Sequence, residues 1–171
     1  MTEADWVNWW CCTWRWMHPG WQPQLAPFTP VARSRHTDLL NCLGVTPSQP
    51  PAPQVDAMHW LSLTEQQQGQ ALALVAAICF ANPALQAQVS DEQWAWCRGL
   101  AKALRPGLWL GAEVFDARCL LGAWLGEGCW SRLRLAWAPD EVLVPVLVPA
   151  LNVPARKLDA LWHAVLWKVL T

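Results

Sequence analysis

Residues 64–80, TEQQQGQALALVAAICF, and 90–105, SDEQWAWCRGLAKALR, open in the same way. In each, a hydroxyl residue is followed three positions later by glutamine, Thr64 with Gln67 and Ser90 with Gln93. In this reciprocal pattern each side chain caps the other's backbone N–H at a helix start. Behind Thr64 the pattern predicts a helix to about Phe80. Behind Ser90, Trp94, Trp96, Cys97, Leu100, Ala101 and Leu104 gather on one broad side of a wheel with Arg98 and Lys102 outside, and Arg105-Pro-Gly107 ends the helix. Between the two, Asn82-Pro83 reads as an N-cap with proline in the first helical position. These starts, each followed by a helical period, set the class as mainly α: an irregular bundle of about six to eight helices.

Toward the C-terminus the same period continues. Val114, Ala117, Leu120, Leu121, Trp124 and Leu125 align on a helix spanning 112–125, which Gly126-Glu-Gly128 is expected to close. Residues 131–137, SRLRLAW, alternate strictly, with Leu133, Leu135 and Trp137 against Arg132 and Arg134, so one short extended segment is expected there. Pro139, Pro145 and Pro149 keep any helix in the next stretch short. Asn152 and Pro154 start a last helix whose stripe is Leu158, Leu161, Trp162, Val165, Leu166 and Val169.

Toward the N-terminus, residues 5–20 read DWVNWWCCTWRWMHPG. On a wheel from Trp6, residues Trp6, Trp9, Trp10, Trp14, Trp16 and Met17 share an arc of roughly 160°, with Asn8, Cys11, Cys12 and Arg15 opposite and Thr13 intruding. Thr2 or Asp5 can cap this helix, and Pro19-Gly20 stops it. WQPQLAPFTP, residues 21–30, reads as a loop or one short turn, and SRHTDLLNCLG, 34–44, as a short helix ended by Gly44. VTPSQPPAPQV, 45–55, is too rich in proline for helix or central strand and reads as an extended polyproline-like linker. The expected organisation is a tryptophan-rich helical arm over 1–45, a proline-rich linker over 46–56 and a helical bundle domain over 57–171.

Composition bounds the function. The 171 residues include 54% hydrophobic and only 15% charged side chains, so some apolar surface is expected to meet a partner. Twelve basic residues against 13 acidic ones give no positive field for a nucleic-acid backbone. The opening Met-Thr-Glu-Ala-Asp carries acid where an export signal carries base, so no export signal is read. The apolar run Ala71 to Ala81 is about half of what a membrane-spanning helix needs. Seven cysteines, with no C-x-x-C pair, read as reduced cytosolic thiols packed as small hydrophobes.

The chain shows no nucleophile elbow, P-loop or dinucleotide fingerprint. His59 with Asp56 and His163 with Asp159 stand one helical turn apart as surface neighbours, and His18 and His36 have no such partner. No catalytic residue, cofactor or metal-ligand set is assigned, and the chain reads as a non-enzyme. Trp94, Trp124, Trp137 and Trp162 lie on core stripes. The candidate partner-binding residues are Trp6, Trp9, Trp10 and Trp14 on the first helix, where core packing is the alternative, and Trp167, which the wheel places outside the last helix.

From about Gln70 to Trp137 the order of features resembles the SctK group of type III secretion accessory proteins, including the HrpD-like proteins of plant-associated bacteria. ALALVAAICF is followed by EQWAWCRGLAKAL. ARCLLGAWLGEGCWSRLRLAWAP then supplies a helix, a Trp-bearing break and a W-x-R-L-x-L segment. The Trp-rich opening ending in HPGWQ is similar to the HrpD-type start. The resemblance implies a non-enzymatic, mainly helical cytosolic adaptor that bridges the membrane-embedded secretion ring and the cytoplasmic sorting platform. Its partners would be other secretion-apparatus proteins, met at the inner face of the inner membrane, in peripheral membrane proximity. Two other classes compete: a peripheral membrane-surface protein using the N-terminal tryptophan face, and a small-ligand or redox protein using the cysteines.

Overall fold

The computed structural model describes residues 1–25, 35–80, 89–111, 116–142 and 153–171. Among the described residues the chain is all-α, with nine α-helices and no strand. In chain order these are α1 (Glu3–Cys11), α2 (Gln22–Leu25), α3 (His36–Cys42), α4 (Val55–Leu61), α5 (Glu65–Cys79), α6 (Asp91–Leu104), α7 (Ala117–Leu125), α8 (Glu127–Leu133) and α9 (Ala155–Leu170), joined in places by short 3-10 turns. The chain divides into two compact units, one of Met1–Leu61 with Leu125–Pro149 and the other of Ser62–Trp124 with Ala150–Thr171. This differs from the expected arm, linker and bundle, because residues after Leu125 return to the N-terminal segment and complete its core.

In the first unit Thr2 caps α1 in a reciprocal box with Asp5. The expected single helix through Met17 is broken: at Cys12 the backbone leaves helical geometry, and Thr13–Arg15 forms a 3-10 turn. The turn buries Thr13, which donates to the Arg132 carbonyl at 3.5 Å, and leaves Trp16 58% exposed. Pro19-Gly20 begins the next turn, where His18 Nδ1 accepts from the Gly20 N–H. Trp21, Leu25, Leu39, Leu40, Leu43, Val45, Leu135 and Val142 form one core cluster, with Trp14, Met17 and Trp137 packed against it. The His18 N–H donates to the Leu135 carbonyl at 2.7 Å and the Trp21 indole to the Trp137 carbonyl at 2.8 Å, tying residues 125–142 to the N-terminal helices. After α3, Gly44 takes φ +66, where a side chain is strained.

The extended segment expected over 131–137 is helical instead: Ser131 to Leu133 finish α8 and Arg134–Ala136 forms a 3-10 turn. Cys129, Trp130, Ser131, Arg132, Leu133 and Leu135 are all buried, so the alternation of leucine and arginine does not separate inside from outside. Gly126, expected to close α7, has φ +80 and heads α8.

In the second unit the boxes at Thr64 and Ser90 both form, with each glutamine returning its side chain to the capping residue's N–H. α5 packs against both α6 and α9. Its residues Ala71, Leu74, Val75 and Ile78, with Cys97 of α6, Leu120 and Leu121 of α7, and the complete α9 stripe, are buried. The Arg105 cap, in left-handed conformation at φ 52, ends α6. The expected starts at Asn82-Pro83 and Asn152, Val114 with residues 112–115, and Pro145 and Pro149 lie outside the described residues.

Candidate functional site

The tryptophans of α1 gather as the wheel groups them, but inward. Trp6, Trp9 and Trp10 are 0%, 6% and 5% exposed, and the ring centroid of Trp6 lies 5.3 Å from that of Trp9 and 5.6 Å from that of Trp10. In the structure they are covered by the chain itself, the state that the core-packing alternative describes. Trp14 is half-buried, with its ring edge-on to His36 at 5.3 Å, whose Nε2 stands 2.7 Å from the Cys11 carbonyl. A membrane-surface reading needs the same indole face free, and burial takes it away. Trp167 is 63% exposed on α9, on the side opposite the buried stripe.

Covering α1 is the proline-rich stretch that the sequence marks as a linker. Residues 46–54 carry no helix or strand. The Trp6 indole donates to the Pro51 carbonyl at 2.9 Å and the Trp10 indole to the Ser48 carbonyl at 3.2 Å. The chemistry is complementary, since proline removes backbone donors and leaves carbonyls in excess, while indole only donates.

Arg132 completes the arrangement. Its residue is 2% exposed, and Cζ lies 3.8 Å from the centre of the Trp10 ring. Nε donates to the Trp10 carbonyl at 3.0 Å, Nη1 to the Gly128 carbonyl at 2.9 Å, and Nη2 to the Thr46 carbonyl and Ser48 Oγ, both at 3.3 Å. Burial pulls the guanidinium below its ordinary value, and the neighbouring Cys129 and Cys11 thiols oppose that shift. Gly128 admits the close approach, for a Cβ there would sit 3.1 Å from Trp10 Cη2. Arg134 repeats the theme by donating to the Leu43 carbonyl beside the Trp21 ring. Sequence reasoning missed Arg132, whose signal is indirect: a donor-only side chain in a chain with a donor-poor stretch.

The seven cysteines are free thiols. Burial pushes Cys79 up to about 12 and Cys97 and Cys129 up to about 11, and it also raises Cys119, with Asp116 adding to the effect. Raised values make these four poor nucleophiles at neutral pH. Among the described residues no three His, Cys, Asp or Glu side chains gather as a metal site, and no helix is long and apolar enough to cross a membrane.

In the second unit Trp124 stacks on the buried Trp162 at 5.6 Å, donates to Asp159 Oδ1 at 3.0 Å and meets the His163 ring edge-on at 5.7 Å. Both His163 and Asp159 are thus joined to Trp124. No family model, curated protein or solved structure matches the chain.

Proposed function

We propose that the chain is a non-enzymatic adaptor of a bacterial type III secretion apparatus, linking the membrane-ring base to the cytoplasmic sorting platform by protein contact. It would work in the cytoplasm at the inner face of the inner membrane, held there by its partners. The observation that carries the reading is the outer side of α9, where Trp167 is 63% and Leu170 64% exposed, with exposed Ala160 and half-buried Ala164 beside them. Small neighbours leave a large indole accessible over most of its surface, which suits an anchor for another protein. The low charge and the resemblance in the order of helical features support the same reading.

The test is affinity capture from a bacterium that carries the chain and a type III secretion apparatus, using the native protein and Trp167→Ala, with captured proteins identified by mass. Ring-base or sorting-platform components are expected with the native chain and are expected to be lost with Trp167→Ala at unchanged thermal stability. Capture of neither class, or capture indifferent to Trp167, rejects the reading.

A further inference from the structure

The stretch over α1 carries a period that a spacer does not need. Pro47, Pro50 and Pro53 are half-buried, whereas Thr46, Ser48, Gln49, Pro51, Ala52 and Gln54 are exposed. One residue in three therefore turns inward, which is the repeat of a polyproline helix. The backbone acceptors follow the same repeat: the Ser48 and Pro51 carbonyls, three apart, receive the indole N–H groups of Trp10 and Trp6, four apart on α1. The pairing is antiparallel, 51 with 6 and 48 with 10, and Arg132 extends it to Thr46. Proline-rich segments dock in aromatic-lined grooves, and here the indoles supply donors to the carbonyls between the inward-turned residues.

We propose that the face formed by Trp6, Trp10 and Arg132 is a recognition groove for an extended proline-rich peptide with proline at every third position, occupied here in cis by residues 46–53. The inference stands apart from the adaptor reading, since it rests on the first unit alone. Tethering gives the chain's own segment a high effective concentration, so a peptide with the same spacing enters only when the cis segment is weakened. Pro47→Gly, Pro50→Gly and Pro53→Gly together weaken it, by freeing the backbone and removing the inward rings while keeping every carbonyl.

The experiment uses the full chain with those three substitutions and a labelled synthetic peptide, VTPSQPPAPQV, followed by fluorescence anisotropy. The peptide is expected to bind the triple variant at least about tenfold more tightly than the native chain, whose groove is filled. A peptide with the same three prolines replaced by glycine is expected to bind about tenfold more weakly, and Trp10→Phe in the variant to weaken binding about fivefold through one lost hydrogen bond. Equal binding to native and variant chains, or equal binding of both peptides, overturns the proposal. If the triple variant fails to fold alone, it is refolded with each peptide. Recovery of helicity with the proline peptide only supports the groove, and recovery with neither or with both overturns it.

Discussion

Arg132 has to offset the cost of taking a guanidinium out of water, and no carboxylate does this among the described residues. Instead its donors fan to the carbonyls of Trp10, Gly128 and Thr46, over the face of Trp10. A lysine ammonium is a single point of charge and cannot span these acceptors in one plane. Arg132→Lys is expected to lower unfolding stability by about 2–3 kcal/mol, read from urea denaturation at unchanged slope; a loss below about 0.5 kcal/mol would show that the carbonyls find other donors. The buried thiols add a pH dependence. In the unfolded chain a thiol ionises near its ordinary value of 9.0, whereas in the folded chain Cys97 and Cys129 hold their protons to about 11. Above pH 9 the unfolded state therefore sheds protons that the folded state keeps, so stability present below 9 is lost as pH rises toward 11. Cys97→Ala is expected to flatten that decline, and a decline of unaltered slope would assign it to other groups. The burial of Cys97 was legible, as a cysteine on the apolar side of its helix, whereas the role of Arg132 was not. An alternating L-R-L-R pattern names polar and apolar residues, but three of the four acceptors that hold Arg132 in the interior lie 84, 86 and 122 positions earlier.

Elements were legible where their causes are local. The boxes Thr64–Gln67 and Ser90–Gln93 need only four consecutive residues, and both form with donor–acceptor distances of 3.0–3.3 Å. Ser90→Ala is expected to cost about 1 kcal/mol by thermal or urea unfolding, with Ser90→Thr restoring most of it; no loss in the alanine variant would mean that water caps α6 equally well. Gly44 after α3 is legible for the same reason, as a left-handed position at a helix end. An alanine there would meet both the conformational penalty and Arg134 Nη2 at 2.8 Å from its Cβ. Gly44→Ala is therefore expected to destabilise by about 1–2 kcal/mol, and equal stability of the two chains in denaturant would refute the strain. The break after α1 was not legible. Trp14 and Met17 fit the wheel through residue 17, yet the chain turns at Cys12 to bury Thr13 against Arg132 and bring Trp14 to His36. Those partners lie far along the chain, so no local period reports them.

On the scale of the whole molecule, proline density misled and burial decides. Of the linker expected over 46–56, residues 46–54 carry no helix or strand, but carbonyls of that stretch bind α1 and α8 within one unit, and Leu135 and Val142 join the core begun by Trp21 and Leu39. The final helix was legible because a sixteen-residue amphipathic repeat carries its own phase. That phase makes two tryptophans five positions apart opposite in consequence. Trp162 is fully buried, stacked on Trp124 with 13° between ring planes, and donates to the Leu120 carbonyl at 3.3 Å. Removing it deletes the stack and the indole hydrogen bond and leaves a cavity between α7 and α9, so Trp162→Ala is expected to cost about 3–5 kcal/mol. Trp167 keeps 63% of its surface in water, so Trp167→Ala is expected to change unfolding stability by no more than about 0.5 kcal/mol. Urea denaturation of the two variants beside the native chain decides the matter. Comparable losses would mean that Trp167 contributes to the core of its unit, and the outer side of α9 would then have no accessible anchor for a partner.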